Sequence, residues 1–170
     1  MKKILGFSLV CCLLLAFAGC NQGNAEMSSE DSSSSSSSSI VEETLGSEGL
    51  AYLKKTDGSY QVVGVGTCTD TEIVIPSAYQ GAPVVEIAGE AFAFNDTVTC
   101  VKIPKSVTSI NPNAFSYCVN LAKVVFEDKS GWIAKEIDTV VTGTNLDLND
   151  EAQAATLLKD TYVAYYWRKA

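Results

Sequence analysis

Three kinds of side chain in this 170-residue chain carry chemistry beyond packing: thiols, closely spaced carboxylates, and aromatic or basic groups set where a ligand could reach them. Asp70 and Glu72 are separated by one residue, which on an extended strand puts both carboxyls on the same face, the arrangement acid–base chemistry needs. The same spacing on an acidic protein also describes a solvated strand edge, and no other group in the sequence converges on the pair. No histidine occurs, which removes His-based triads and His-ligated zinc. Gly64-Val65-Gly66 lacks the third glycine and the helix start of a phosphate-binding loop. The expectation is a chain that is not an enzyme, with no catalytic residues, no metal and no cofactor. A hydrolase working with carboxylates alone is the remote alternative.

Cys68, Cys100 and Cys118 are the thiols downstream of residue 20. Cys118 and Cys68 fall at or near one interior repeat position and are expected to be buried. Cys100, between Val98 and Val101, is expected to alternate outward and be exposed. Three thiols cannot all pair with one another, so whether any disulfide forms stays open. Four residues are candidates for contact with a ligand. Tyr79 and Gln80 lie in an insertion between repeats, and such insertions emerge on one face. Lys102 and Lys123 make a small basic spot on an acidic surface if a two-residue slip brings them to one repeat position; under the strict offset Lys123 matches Cys100 instead. Tyr165, Tyr166 and Trp167 have the rings to stack on a sugar, but their terminal place favours sealing the end of the core.

What must position these groups begins with an address. Lys2 and Lys3 precede an apolar run over residues 4–18, followed by Gly19 and Cys20. Fifteen residues at ~1.5 Å each reach about 22 Å, short of a hydrocarbon core of roughly 30 Å, so the run reads as a removed secretory leader rather than a span. Phe17-Ala18-Gly19-Cys20 resembles the bacterial lipobox, with Phe17 where leucine is usual. That resemblance implies cleavage before Cys20, lipid attachment at Cys20, and export to the outer face of the cell membrane. Two acyl chains hold a protein stably where one is marginal.

Residues 21–43 then change composition, with eight consecutive serines at 32–39. So little apolar surface cannot offset the entropy of ordering, which makes residues 20–44 a disordered tether of roughly 25–30 Å root-mean-square span. Residues 45–170 have the size of one domain. Removing Lys2 and Lys3 leaves ten basic residues against 20 acidic, a mature net charge of −10. Such a surface repels phosphate backbones and anionic headgroups, so nucleic acid is not an expected partner and the membrane is met through the lipid alone.

Self-comparison of the domain exposes a repeat. Val84-Val85-Glu86-Ile87 aligns with Val107-Thr108-Ser109-Ile110 at an offset of 23, which also carries Ala91-Phe92 onto Ala114-Phe115, Asn95 onto Cys118, Val98 onto Leu121, Val101 onto Val124 and Ile103 onto Phe126. Ile73-Val74-Ile75-Pro76 returns as Val101-Lys102-Ile103-Pro104 at an offset of 28, the extra five residues lying in 77–83. Val98, Val101 and Ile103 suit the inward positions of a short strand stopped by Pro104, and residues 107–110 a second strand. Asn113-Ala114-Phe115 suits a helical turn that drives Phe115 inward, and Asn95 and Cys118 the interior corner where a side chain bonds free backbone groups. One such coil cannot bury its own apolar face, so coils must stack. The expected core is Ile75, Ile87, Phe92, Val98, Val101, Ile103, Ile110, Phe115, Leu121, Val124 and Phe126.

Ile75-Pro76, Ile87, Ala91-Phe92, Ile103-Pro104, Val107-Thr108-Ser109-Ile110 and Ala114-Phe115 resemble the BspA-like leucine-rich repeats of bacterial surface proteins. The resemblance implies a β-rich solenoid, a short leucine-rich repeat stack, and with it surface display and adhesion. The stack here is brief, about two full repeats and a partial one, which limits any large concave surface.

The ends are legible without the family. Residues 50–55 and 59–65, around Thr56-Asp57-Gly58, read as a β-hairpin that caps the first repeat. Residues 127–131 read as a turn and Trp132-Ile133-Ala134 as a strand. Asn149-Asp150-Glu151 offers a helix N-cap, with Ala152, Ala155, Leu158 and Leu157 facing inward, and residues 162–167 close as a strand. A C-terminal helix–strand cap is therefore expected. Together these features predict a cell-surface lipoprotein that displays a small repeat domain for extracellular binding or adhesion, to protein or glycan. The alternative is a structural or accessory envelope component that binds a partner protein.

Overall fold

The computed structural model describes residues 46–170; the leader, Cys20 and the tether lie outside the described residues. The architecture is strand-rich, with no closed barrel among the described residues. Its strands in chain order are β1 Ala51–Lys54, β2 Tyr60–Gly64, β3 Glu72–Val74, β4 Ala78–Tyr79, β5 Ala82–Ile87, β6 Cys100–Ile103, β7 Ser109–Ile110, β8 Lys123–Phe126, β9 Trp132–Lys135, β10 Thr144–Asn145 and β11 Tyr166–Lys169. The one α-helix among the described residues, α1 Glu151–Thr156, widens into a π-turn over Leu157–Thr161.

Both repeat offsets reappear as ladder registers. β3, β6 and β8 form a parallel three-stranded sheet in which Ile73 pairs with Val101 and Val101 with Val124, offsets of 28 and 23. In the second sheet β5 and β7 are parallel with Ile87 opposite Ile110, again an offset of 23. Register follows from burial, because a one-residue slip would turn every inward side chain outward. Ile75, Ile87, Phe92, Val98, Val101, Ile103, Ile110, Phe115, Leu121, Val124 and Phe126 are all buried in one cluster fed by both sheets. Pro104 ends β6, since it has no N–H to continue the ladder.

The five-residue insertion does not stand off as a loop. It folds back as β4 against β5, with Ala78 opposite Pro83 and Tyr79 opposite Ala82. Gln80 and Gly81 between them have φ of 49° and 76°, the two left-handed residues that a type I′ hairpin turn requires.

At the front, β1 and β2 form an antiparallel hairpin and β2 adds in parallel to β5. At the back, β11 runs antiparallel between β7 and β9, and β10 pairs with the far side of β9. The closing strand begins at Tyr166, later than the sequence pattern implies, because Tyr162 and Tyr165 are held in a turn by the Tyr165 N–H bonding the Tyr162 carbonyl at 3.1 Å. Asp150 caps α1 by accepting from the N–H groups of Ala152 and Gln153 at 2.9 and 3.0 Å. The face α1 buries is Ala154, Ala155 and Leu158 rather than one that includes Ala152, which is exposed. Ala154 and Leu158, four residues apart, lie on one face with Ala155 beside them, and Ala152 falls outside that stripe.

Candidate functional site

The most unusual surface feature arises from how each coil turns its corner. In the first, Glu90 and Phe94 have φ of 60° and 59°; in the second, Asn113 and Tyr117 have φ of 62° and 57°. The two left-handed residues bracket the turn and send Phe92 and Phe115 inward, where both are wholly buried. They also project Phe94 and Tyr117 outward, 72% and 67% exposed. The outer rings stack with centroids 4.7 Å apart and planes 8° apart, a surface counterpart to the buried pair. A left-handed backbone costs an L-residue about 1–2 kcal/mol, and glycine is the residue that avoids the cost. Both coils carry a bulky aromatic at this position instead.

Beside the pair is a cleft of about 560 Å³ lined by Asn113, Ser116, Tyr117, Lys159, Asp160 and Val163, among others. The Asn113 N–H bonds the Val163 carbonyl at 2.6 Å and joins the second coil to the C-terminal segment that forms the opposite wall. Lys159 Nζ donates to the carbonyl of Leu121 at 2.8 Å and so is held by backbone groups. Ser116 is only 9% exposed.

The residues singled out from sequence are distributed differently. Tyr79 is not an exposed contact: it is half-buried, stacked on Tyr52 at 3.9 Å and edge-on to Tyr60 at 5.1 Å. The β4–β5 hairpin is what folds it down. Burial in this cluster, with Tyr79 and Cys68 adjacent, raises the Tyr52 hydroxyl to a pKa of about 12. Gln80 is exposed at the hairpin tip and accepts from the Tyr60 hydroxyl at 3.1 Å. Tyr79 and Gln80 share the rim of a second cleft, about 440 Å³, with residues 46–50. Lys102 and Lys123 are both exposed but do not occupy one repeat position, because the ladder sets Lys123 opposite Cys100 and Lys102 opposite Val125. Lys123 is paired with Glu151 of α1 at 3.4 Å.

Cys100 is buried, 8% exposed, against the outward placement that alternation implies. Glu72 and Lys123 flank it on the neighbouring strands, and their side chains shade it; burial then raises the thiol's pKa. Cys118 is fully buried with its Sγ 3.0 Å from the Phe92 carbonyl, and burial raises its pKa too. Cys68 is only half-buried, and all three thiols are free. Asn95, the repeat partner of Cys118, works on its own coil instead, accepting from the N–H groups of Thr97 and Val98 at 3.0 Å each. Asp70 and Glu72 are exposed around the start of β3. No group of His, Cys, Asp and Glu among the described residues is arranged to hold a metal ion.

The Phe94–Tyr117 pair and its cleft were missed by the sequence reading, although a signal exists. The 23-residue offset carries Phe94 onto Tyr117, and a core already filled by Phe92 and Phe115 has no room for a second aromatic two positions later.

A family model also finds the repeat. Residues 67–138 match the model of the BspA type leucine rich repeat region (6 copies). Among solved structures, a leucine-rich repeat protein from Bacteroides capillosus is 27% identical over 48% of this chain and 63% of its own, with a TM-score of 0.45. The T. pallidum leucine rich repeat protein is 29% identical over 45% of this chain and 36% of its own, with a TM-score of 0.41. A leucine rich cell surface protein from Faecalibacterium prausnitzii is 28% identical over 49% of this chain and 23% of its own, at a TM-score of 0.44. The chain thus spans less than two thirds of the length of each. No curated protein matches the chain.

Proposed function

We propose, from a chain whose residues 67–138 are BspA-type leucine-rich repeats, that this protein is a small solenoid displayed outside the cell as a binding or adhesion module for protein or glycan. The reading has a lipobox at Phe17-Ala18-Gly19-Cys20, lipid on Cys20, a Ser-rich tether, and a repeat stack at its end. The β1–β2 hairpin serves as the front cap by covering β5, and α1 with β9–β11 as the back cap. Caps are needed because an uncovered coil presents apolar surface and a bare strand edge.

One observation carries the binding role: Phe94 and Tyr117 leave most of their rings in solvent at a backbone conformation that penalises them. Exposed aromatics that contribute little to the core and sit on strained backbone are the mark of a contact surface. The test is twofold. Mass spectrometry of the mature amino terminus should find a diacylated Cys20. Cells displaying the full chain should retain extracellular matrix proteins or glycans above cells displaying the tether alone. An unmodified terminus, or equal retention by the two, overturns the reading.

A second reading, an accessory component held against another envelope protein, is favoured by one feature. Ile137, Val140 and Val141 are exposed together on the segment after β9, Val141 by 90%. Crosslinking in intact cells that recovers a single stoichiometric partner through this segment would select it.

A further inference from the structure

We propose that the cleft beside Tyr117 is a carbohydrate subsite for an uncharged pyranose, with the Tyr117 ring as its platform and Asn113, Ser116 and Asp160 as its hydrogen-bonding rim. The inference rests on the display reading above and names the ligand class. Tyr117 lines the cleft, while its stacking on Phe94 occupies one side of the ring and fixes its orientation. A held aromatic ring offers an electron-rich surface to the C–H face of a sugar without losing rotamer freedom on binding.

The rim has the composition sugars require. A pyranose presents hydroxyls around its edge, each both donor and acceptor, and is matched by an amide, a hydroxyl and a carboxylate converging on one space. Among the described residues the side chains of Asn113 and Asp160 make no hydrogen bond, so both can turn to a ligand. Ser116 adds a hydroxyl on the cleft wall, able to donate to and accept from a sugar hydroxyl. The volume of about 560 Å³ lies within the range of small-molecule sites.

Charge selects among sugars. The cation in the cleft, Lys159, is engaged by backbone carbonyls, and Asp160 contributes a negative charge. The chain as a whole is strongly acidic. Sulfated or uronic-acid polymers are therefore disfavoured and neutral sugars favoured. A protein partner would bury the same ring, but a concave cleft with a polar rim suits a small hydroxylated ligand better than a broad, flatter contact.

The experiment presents the full chain with immobilised linear hexasaccharides of glucose, mannose, xylose and N-acetylglucosamine, with heparin as the anionic control. At least one neutral oligosaccharide should be retained and heparin should not. Tyr117→Gly should weaken retention at least tenfold, Tyr117→Trp should preserve it, and Asp160→Asn should weaken it several-fold with an unchanged melting temperature. Preference for heparin, retention by none of the neutral sugars, or binding indifferent to Tyr117→Gly and Asp160→Asn overturns the proposal. So does a protein ligand that requires Tyr117, an outcome that leaves the display reading standing. A surface-exposed, lipidated chain that retains no sugar likewise removes only this inference.

Discussion

The buried rings of Phe92 and Phe115, 23 residues apart in sequence, lie 4.9 Å apart with their planes 5° from parallel. Each comes from its own repeat. Their contact is thus the seam through which one repeat supports the next. Phe115→Ala is expected to cost about 3–5 kcal/mol in urea unfolding. In a double-mutant cycle with Phe92→Ala, about 0.5–1.5 kcal/mol of coupling should remain beyond the two singles. Strict additivity would show that the coils do not lean on each other there.

The left-handed corners predict a reversed order of small substitutions. At an ordinary position alanine is more stable than glycine by about 0.5–1 kcal/mol. Phe94 and Tyr117 have φ of 59° and 57°, so relief of the left-handed cost should make Phe94→Gly and Tyr117→Gly more stable than the corresponding alanine variants by a similar amount. Chemical denaturation of the four variants measures this, and alanine leading at either site would refute the strain on which the contact surface rests.

Asn111 bridges two distant charges. Its Nδ2 donates to Glu86 Oε1 at 2.7 Å, and its Oδ1 accepts from Arg168 at 2.9 Å. Lys55 closes the chain on the other side of Glu86, and Asp138 takes the Arg168 Nε–H at 2.7 Å. Asn111→Ala should cost about 1–2 kcal/mol, because it leaves partly buried groups on both sides unmet. Asn111→Asp should cost more, since a carboxylate repels Glu86. If the aspartate variant matches wild type near neutral pH, the amide is not the link.

Acid should loosen the C-terminal strand first. Asp128 is held well below the usual carboxylate range by hydrogen bonds from Lys169 and Ser130, and Asp138 is lowered by its bond from Arg168. A depressed folded-state pKa gives stability that is complete above the unfolded value, about 3.9 for aspartate, and is lost as pH falls through the folded value. The urea midpoint should therefore hold down to about pH 4 and then drop. The gap between wild type and Asp128→Asn should shrink over the same range, with 1 M salt narrowing it at every pH because these carboxylates face solvent. A gap that widens on acidification would reverse the sign of the argument.

The three thiols should separate by accessibility. Cys68 is half-buried, whereas Cys100 and Cys118 are 8% and 0% exposed with pKa values raised by burial. Alkylation of the native chain, mapped by peptide mass, should label Cys68 first, and the other two at the rate of unfolding. Early labelling at Cys100 would mean that its flanking side chains leave it open.

The sequence by itself determined what goes inside. Alternation and an offset of 23 or 28 residues identify the same inward positions that the ladders bury, because which side of a short strand a residue takes depends on its parity alone. The front hairpin and the Asp150 cap were legible for a similar reason, since both are local in sequence. Only the tertiary structure decided the outside. Tyr79 tucks against Tyr52 because its insertion happens to make a hairpin, and Cys100 is flanked by residues 28 behind and 23 ahead of it. Periodicity records the direction of a side chain relative to its own strand. The neighbours that meet on the far side depend on register between distant segments and on the handedness of single backbone residues. Phe94 and Tyr117 became a pair through both.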